Sequence, residues 1–222
     1  MILAIDVFND VSKLIKKDGL SGYFNLDTFN KWCPTVENTL MSYYCRDLEK
    51  NSEISDSLRP FTKQAEIFLS DGFAVLPTDY RHFTEVGYRF YANAETCGGT
   101  PTDKPISVDF CRTNEFYDML NSPIRKPDAK KGKVRFRVIN NKFEVTEKNG
   151  SIYLVYISNP VHPLFTYTIN TTTDETELTN NPSFDWLEQD RSNLVDLFCM
   201  SLGMSIRETS LIQWAQMPKI NK

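Results

Sequence analysis

Histidine is scarce in this chain. The 222 residues contain only His82 and His162, and neither lies in an HxxxH or HxH arrangement, so a histidine-rich metal site is excluded. The five cysteines, Cys33, Cys45, Cys97, Cys111 and Cys199, form an odd, scattered set without a CxxC pair. That spacing offers no close-paired zinc ligands and predicts free buried thiols, with the protein made and used in a reducing cytoplasm. There is no GxSxG to form a nucleophile elbow, and neither GxxxxGK[ST] nor GxGxxG to cradle a phosphate. No apolar run is long enough to span a bilayer. The apolar start, Met1 to Ile5, meets Asp6, Asn9 and Asp10 too early for a signal-peptide core. Positive charge is also short: 25 Lys and Arg against 29 Asp and Glu leave a net charge of -4, without the surplus that nonspecific DNA binders use to replace counterions. Only residues 125–137, "RKPDAKKGKVRFR", are locally basic, and they read as a solvated loop entering a strand.

What is present is apolar material, 41% of residues with 13% aromatic, enough for one sizeable core and a single elaborated domain. Ile2, Ile5, Phe8, Val11, Leu14 and Ile15 recur at helical spacing, and Lys16-Lys17-Asp18-Gly19 supplies the stop. Asn25 can cap a second helix, in which Pro34 places a break or a fresh first turn before Val36, Leu40 and Tyr44 continue to about Lys50. "NSEISDS" reads as a loop or cap. From Ala65 the texture turns to strands: "AEIFLSDGFAVLP" is two strand pieces around Ser70-Asp71-Gly72, and residues 82–92 form a strand with a bulge near Gly87. "ISVDFCR" is another strand, and a short helix falls near 114–121. The clearest β signal is residues 132–160, read as a three-strand meander turning at Asn140-Asn141 and at Asn149-Gly150. The end returns to two helices. The first carries Leu194, Leu197, Phe198 and Leu202 on one face, with Gly203 as its cap, and the second has Ser205 and Glu208 at capping-box spacing. The expectation is an α+β fold within one domain. An N-terminal helical part (1–63) leads to a mainly antiparallel β-sheet or sandwich (64–180), followed by a C-terminal helix pair (181–222).

The most chemistry-rich stretch is "LPTDYRH". Pro77 fixes its own φ and pushes Leu76 toward extended geometry, Thr78 and Asp79 favour turn positions, and Tyr80 can bury its ring. His82 as a base oriented by Asp79 would need a nucleophile that nothing nearby supplies. Leu76, Pro77, Asp79, Tyr80 and His82 are therefore read as a structural corner that sets the path from the helical part into the sheet. Cys97, before Gly98-Gly99, offers a thiol that glycines could expose. A small cytoplasmic hydrolase using Cys97 or His82 is the alternative to a structural role, and a soluble interaction module in another assembly is a third reading. No catalytic, metal-binding or cofactor-binding residue is assigned, and "DETE" (174–177) reads as solvated loop.

Four segments in order, "LRPF", "GFAVLPTDYRH", "YLVYISNPVHP" and "LVDLFCMSLGMSIRETSLIQWAQ", together resemble the ring-forming head-to-tail adaptor proteins of crAss-like and related tailed phages of Bacteroidetes. The resemblance covers most of the chain, while residues 96–104 and 171–180 match nothing in it. It implies a non-enzymatic structural protein of the virion neck, assembled in the bacterial host cytoplasm. Its partners would be its own copies in a closed ring of roughly twelve, joined through heterologous interfaces, together with the portal and neighbouring connector or tail proteins. DNA would pass through the lumen without sequence recognition, and no membrane is involved. Arg59, Phe61, Leu211 and Trp214 are candidates for ring-interface or packing positions.

Overall fold

The computed structural model describes residues 1–17, 24–48, 52–89, 105–122, 127, 133–169 and 176–206. The fold is of the α+β class, and the chain closes into two compact units: residues 62–159 form one, and residues 1–61 with 160–222 form the other. Residues 160–169 and 176–180, which the sequence groups with the strands, therefore fold with the helices.

The helical unit begins with β1 (Ile2–Leu3) and α1 (Ala4–Lys17). Ala4, Val7, Val11 and Ile15 put one buried stripe along α1, the spacing a helix needs to present a single face to a core. In α2 (Leu26–Asp47), Asn25 accepts a hydrogen bond from the Thr28 amide at 2.9 Å and caps the first turn. The helix passes through Pro34 without a break. Proline inside a helix costs about 3 kcal/mol, and burial of Phe29, Cys33, Val36, Leu40 and Met41 along the same helix outweighs it at about 1.5–3 kcal/mol for each large apolar side chain. The stretch read as a loop or cap contains a short helix, α3 (Ser52–Ser57), followed by a 3₁₀ turn at Arg59–Phe61.

The β unit is a sandwich. Its strands are β2 (Thr62–Phe68), β3 (Phe73–Val75), β4 (Tyr80–Arg89), β5 (Ile106–Ser107), β6 (Asp109–Phe110), β7 (Arg135–Ile139), β8 (Lys142–Val145) and β9 (Ser151–Ser158), with α4 (Thr113–Asn121) between β6 and β7. One sheet has the order β2-β9-β4-β5 and the other β3-β8-β7-β6; all pairs are antiparallel except β6 with β7. Tyr88, Ile152 and Leu154 from the first sheet and Ala74, Phe136, Phe143 and Val145 from the second fill one buried cluster.

Two expectations are corrected here. Residues 132–160 do not make a three-strand meander: β7 and β8 pair as a hairpin, with Asn140 at φ 52°, but β9 crosses to the other sheet and pairs with β2 and β4. β9 is buried along most of its length, which requires a central position. The turn into it depends on Gly150, at φ 121°, where a Cβ would stand 2.6 Å from the Arg89 carbonyl oxygen. The bulges of β4 lie between Tyr80 and His82 and between Phe83 and Glu85 rather than at Gly87; Gly87 instead makes room for Pro105, 2.8 Å from where its Cβ would be. The basic run does enter a strand, β7, and within it Arg137 is buried. It bonds Glu144 through Nε at 2.7 Å and the Tyr117 hydroxyl at 2.7 Å, and its guanidinium lies over the Phe116 ring, clamping α4 to β7 and β8.

The helical unit is completed by β10 (Tyr167–Ile169) paired with β11 (Thr176–Leu178), by β12 (Ser183–Phe184) paired with β1, by a 3₁₀ turn at Glu188–Asp190 and by α5 (Arg191–Ile206). Part of "DETE" is thus strand. Leu194, Val195, Phe198, Cys199 and Leu202 bury the α5 face, and Phe198 stacks on Phe29 with ring centroids 4.8 Å apart. Gly203 does not end this helix, which runs on to Ile206. Glycine stops a helix by adopting positive φ, and among the described glycines only Gly72 and Gly150 do so. The second helix of the expected C-terminal pair falls at 207–222, outside the described residues.

Candidate functional site

The polar stretch "LPTDYRH" carries the chain between the two sheets of the β unit, from β3 to β4, rather than from the helical part into the sheet. Leu76 is buried, Tyr80 N donates to the Pro77 carbonyl at 3.1 Å to close a turn, and Asn159 N donates to the Asp79 carbonyl at 2.7 Å. The Asp79 carboxylate receives Lys63 Nζ at 2.6 Å and the Tyr156 hydroxyl at 3.0 Å. The Lys63 bond is the largest reason its pKa lies below the ordinary carboxylate value. Tyr80 packs its ring on Phe143 and Tyr156, and His82 stacks on Phe83 with centroids 5.5 Å apart. Asp79 is thus engaged with a lysine and a tyrosine, and His82 with a phenylalanine; the five residues form a tied corner.

A second group of polar side chains lies in the helical unit, and nothing in the sequence singles it out. Cys33 and Glu37 stand one turn apart on α2, and both are fully buried. Glu37 Oε1 accepts from Trp186 Nε1 at 3.2 Å, and Glu37 Oε2 lies 2.6 Å from His162 Nδ1. The Cys33 thiol donates to the Pro163 carbonyl at 3.5 Å and sits 4.0 Å from Glu37 Oε2. Burial raises the Glu37 pKa to about 8, partly offset by the Trp186 bond. Burial, then the neighbouring Glu37, push the Cys33 thiol up. A thiol that holds its proton so firmly is no nucleophile. What the arrangement does chemically is keep one proton between Glu37 and His162, on the carboxyl or on the imidazole, and so tie α2 to the segment after β9 and to Trp186. The signals were an acidic residue one turn after a cysteine on the core side of a helix and a histidine between prolines. Neither identifies the other as partner.

The third feature is the edge of the sandwich. β2 and β3 are edge strands, one in each sheet, joined by a tight turn in which Ser70 and Phe73 exchange backbone bonds of 2.9 and 3.0 Å. Asp71 and Gly72 take φ of 50° and 85° there. Phe68, Phe73 and Val75 on these strands are 69%, 39% and 59% exposed. Of the four candidate interface or packing positions, Arg59 is exposed, whereas Phe61 is buried, its ring 4.6 Å from that of Trp186. Leu211 and Trp214, like Cys97, lie outside the described residues.

No family model matches the chain, and no curated protein matches it. Among the described residues no group of three or more His, Cys, Asp or Glu side chains is placed to hold a metal ion, and no helix is long and apolar enough to cross a membrane.

Proposed function

We propose that this chain is a structural subunit of a tailed-phage virion, forming a ring in the head-to-tail connector below the portal. Two things support the reading: the resemblance carried by the four sequence segments, and the apolar edge strand β3. The edge is the observation that matters most. Sheet edges are ordinarily blunted with charge, proline or bulges because they pair readily with other chains. Here β3 presents Phe73 and Val75 around a buried Ala74. An edge of that kind can accept a segment from a neighbouring copy. If the donated segment lies elsewhere on the subunit, the contact is heterologous and propagates into a ring. In this reading the ring of roughly twelve copies stacks between the portal and the next connector or tail protein, and DNA passes through without sequence recognition.

Negative-stain images of the purified protein, alone and mixed with portal, test this. Rings, or stacking on the portal, are expected. Replacing Phe73 and Val75 together by Glu should shift sedimentation toward the monomer while leaving the circular dichroism spectrum unchanged. A wild-type chain that stays monomeric at every concentration and never associates with virions would overturn the reading.

A further inference from the structure

The helical unit contains a pocket of about 360 Å³ between the end of α2, α3 and the start of α5. Asp190, only 2% exposed, stands in its wall. Asp190 Oδ1 accepts from the Tyr44 hydroxyl at 2.8 Å and from Ser57 Oγ at 2.9 Å. Behind these donors, Asn193 Nδ2 donates to the Tyr44 oxygen at 2.7 Å and Gln189 Nε2 to Ser57 Oγ at 2.9 Å. Burial and the bond to Asp190 push the Tyr44 pKa up, so its hydroxyl stays a donor. The whole relay therefore points at one carboxylate oxygen. The other, Oδ2, is buried with no hydrogen-bond partner among the described residues.

A buried carboxylate oxygen without a partner costs more than the 1–3 kcal/mol of a neutral orphan, and native structures seldom leave one unmet. The missing partner has to be a donor, because Oδ2 can only accept. It should also carry positive charge, because the described lining includes a second carboxylate, Asp56, and no lysine or arginine. Ile54 adds an apolar wall. The volume is several times the roughly 30 Å³ that one water occupies in the liquid.

We infer that this pocket binds a protonated alkylamine. Its ammonium donates to Asp190 Oδ2 and faces Asp56, and its methylene stem lies along Ile54. Such an amine keeps its proton at neutral pH, since its pKa is about 10. It can come from two sources, a lysine side chain of another copy or a free amine.

The probe is n-butylammonium, added to the full chain and followed by saturation-transfer NMR, with n-butanol as the neutral counterpart. Saturable transfer to n-butylammonium is expected, with n-butanol weaker by roughly tenfold or more, the span of a charge-assisted hydrogen bond. Asp190→Asn should lose the same factor. No saturable binding, equal binding of the two probes, or full binding by a folded Asp190→Asn protein each overturns the inference. If that variant does not fold, the comparison of probes on the wild-type chain still decides. Sedimentation velocity separates the sources: n-butylammonium drives self-associated protein toward the monomer if a lysine of another copy fills the pocket, and leaves sedimentation unchanged if the occupant is a free amine.

Discussion

The two compact units handle buried polarity in opposite ways. In the helical unit, acidic side chains sit deep: Glu37 at 0% and Asp190 at 2% exposure, each gathering donors from separate elements. In the β unit the cluster between the sheets is apolar apart from tyrosine hydroxyls at its margin. There the buried charge among the described residues is Arg137, held against α4 beside its own counter-ion, Glu144. The difference follows from backbone chemistry. Two facing sheets satisfy their backbone bonds within each sheet and need only apolar filling between them. The helical unit also holds irregular chain, residues 160–166, 179–182 and 185–187, and polar side chains stitch it to the helices. Asn30, for example, bonds both the carbonyl and the amide of Phe165. The lesson is that the helical unit should carry the pH sensitivity and the sandwich the pH-indifferent stability.

The largest effects should show no difference between the units. Phe29→Ala, which removes a ring from the Phe165, Phe184 and Phe198 cluster, and Phe143→Ala in the sandwich should each cost about 3–5 kcal/mol. Guanidinium unfolding read by tryptophan fluorescence follows the helical unit, since Trp32 and Trp186 lie there, and far-ultraviolet dichroism adds the strands. Unequal costs would mean that one core is the looser. Next, Arg137→Met should cost about 3 kcal/mol by leaving Glu144 uncompensated, and Arg137→Met with Glu144→Met should recover most of it. A double variant as unstable as the single one would show that the clamp holds by shape rather than by charge.

The comparison is sharpest in pH. Glu37 holds its proton more tightly in the fold, to about 8 against an ordinary 4.5, so the folded state binds more protons across that window. Its contribution is fully present below 4.5 and is lost as the pH rises toward 8. The groups facing it are His162, Cys33, Trp186 and Asp185, and with His162 at 2.6 Å the titration reads the pair rather than either residue. Glu37→Gln should cost about 1–2 kcal/mol in acid and flatten the slope between pH 5 and 8 in denaturant midpoints read by tryptophan. An unchanged slope would place the pH sensitivity elsewhere. The smallest effect belongs to the corner. Asp79→Asn breaks a half-exposed pair with Lys63 and should cost under about 1 kcal/mol. Because the folded pKa of Asp79 is lowered, its contribution is present above 3.8 and disappears as the pH falls below that value.

Much of the fold could be read from local chemistry. Asn25 announced α2, the short helix near 114–121 was legible before the proline that follows it, and Asn140-Asn141 marked a hairpin, because each depends on a few neighbouring residues. The pairing of β9 was missed although "SIYLVYIS" carried the sign of a central strand, unbroken apolar character. Asn149-Gly150 suggested a hairpin instead, and a turn residue states that the chain bends, not which sheet it bends toward. The polar sites were harder still. Glu37 in "TVENTL" looks like an ordinary helix carboxylate, and its partners His162 and Trp186 lie 125 and 149 residues away.

The sequence by itself determined the α+β class, the Asn25 cap, the turns at Ser70-Asp71-Gly72, Asn140-Asn141 and Asn149-Gly150, the apolar faces of α2 and α5, and the tied corner at Leu76-Pro77, since all of these are set by side-chain volume, φ preference and periodicity over a few residues. Only the tertiary structure decided which strands go to which of the two sheets, that Arg137 is buried, and that Glu37, His162 and Asp190 meet the groups they do. Those outcomes turn on which distant surfaces exclude water together, and a carboxylate acquires its protonation and its partners only once that has happened.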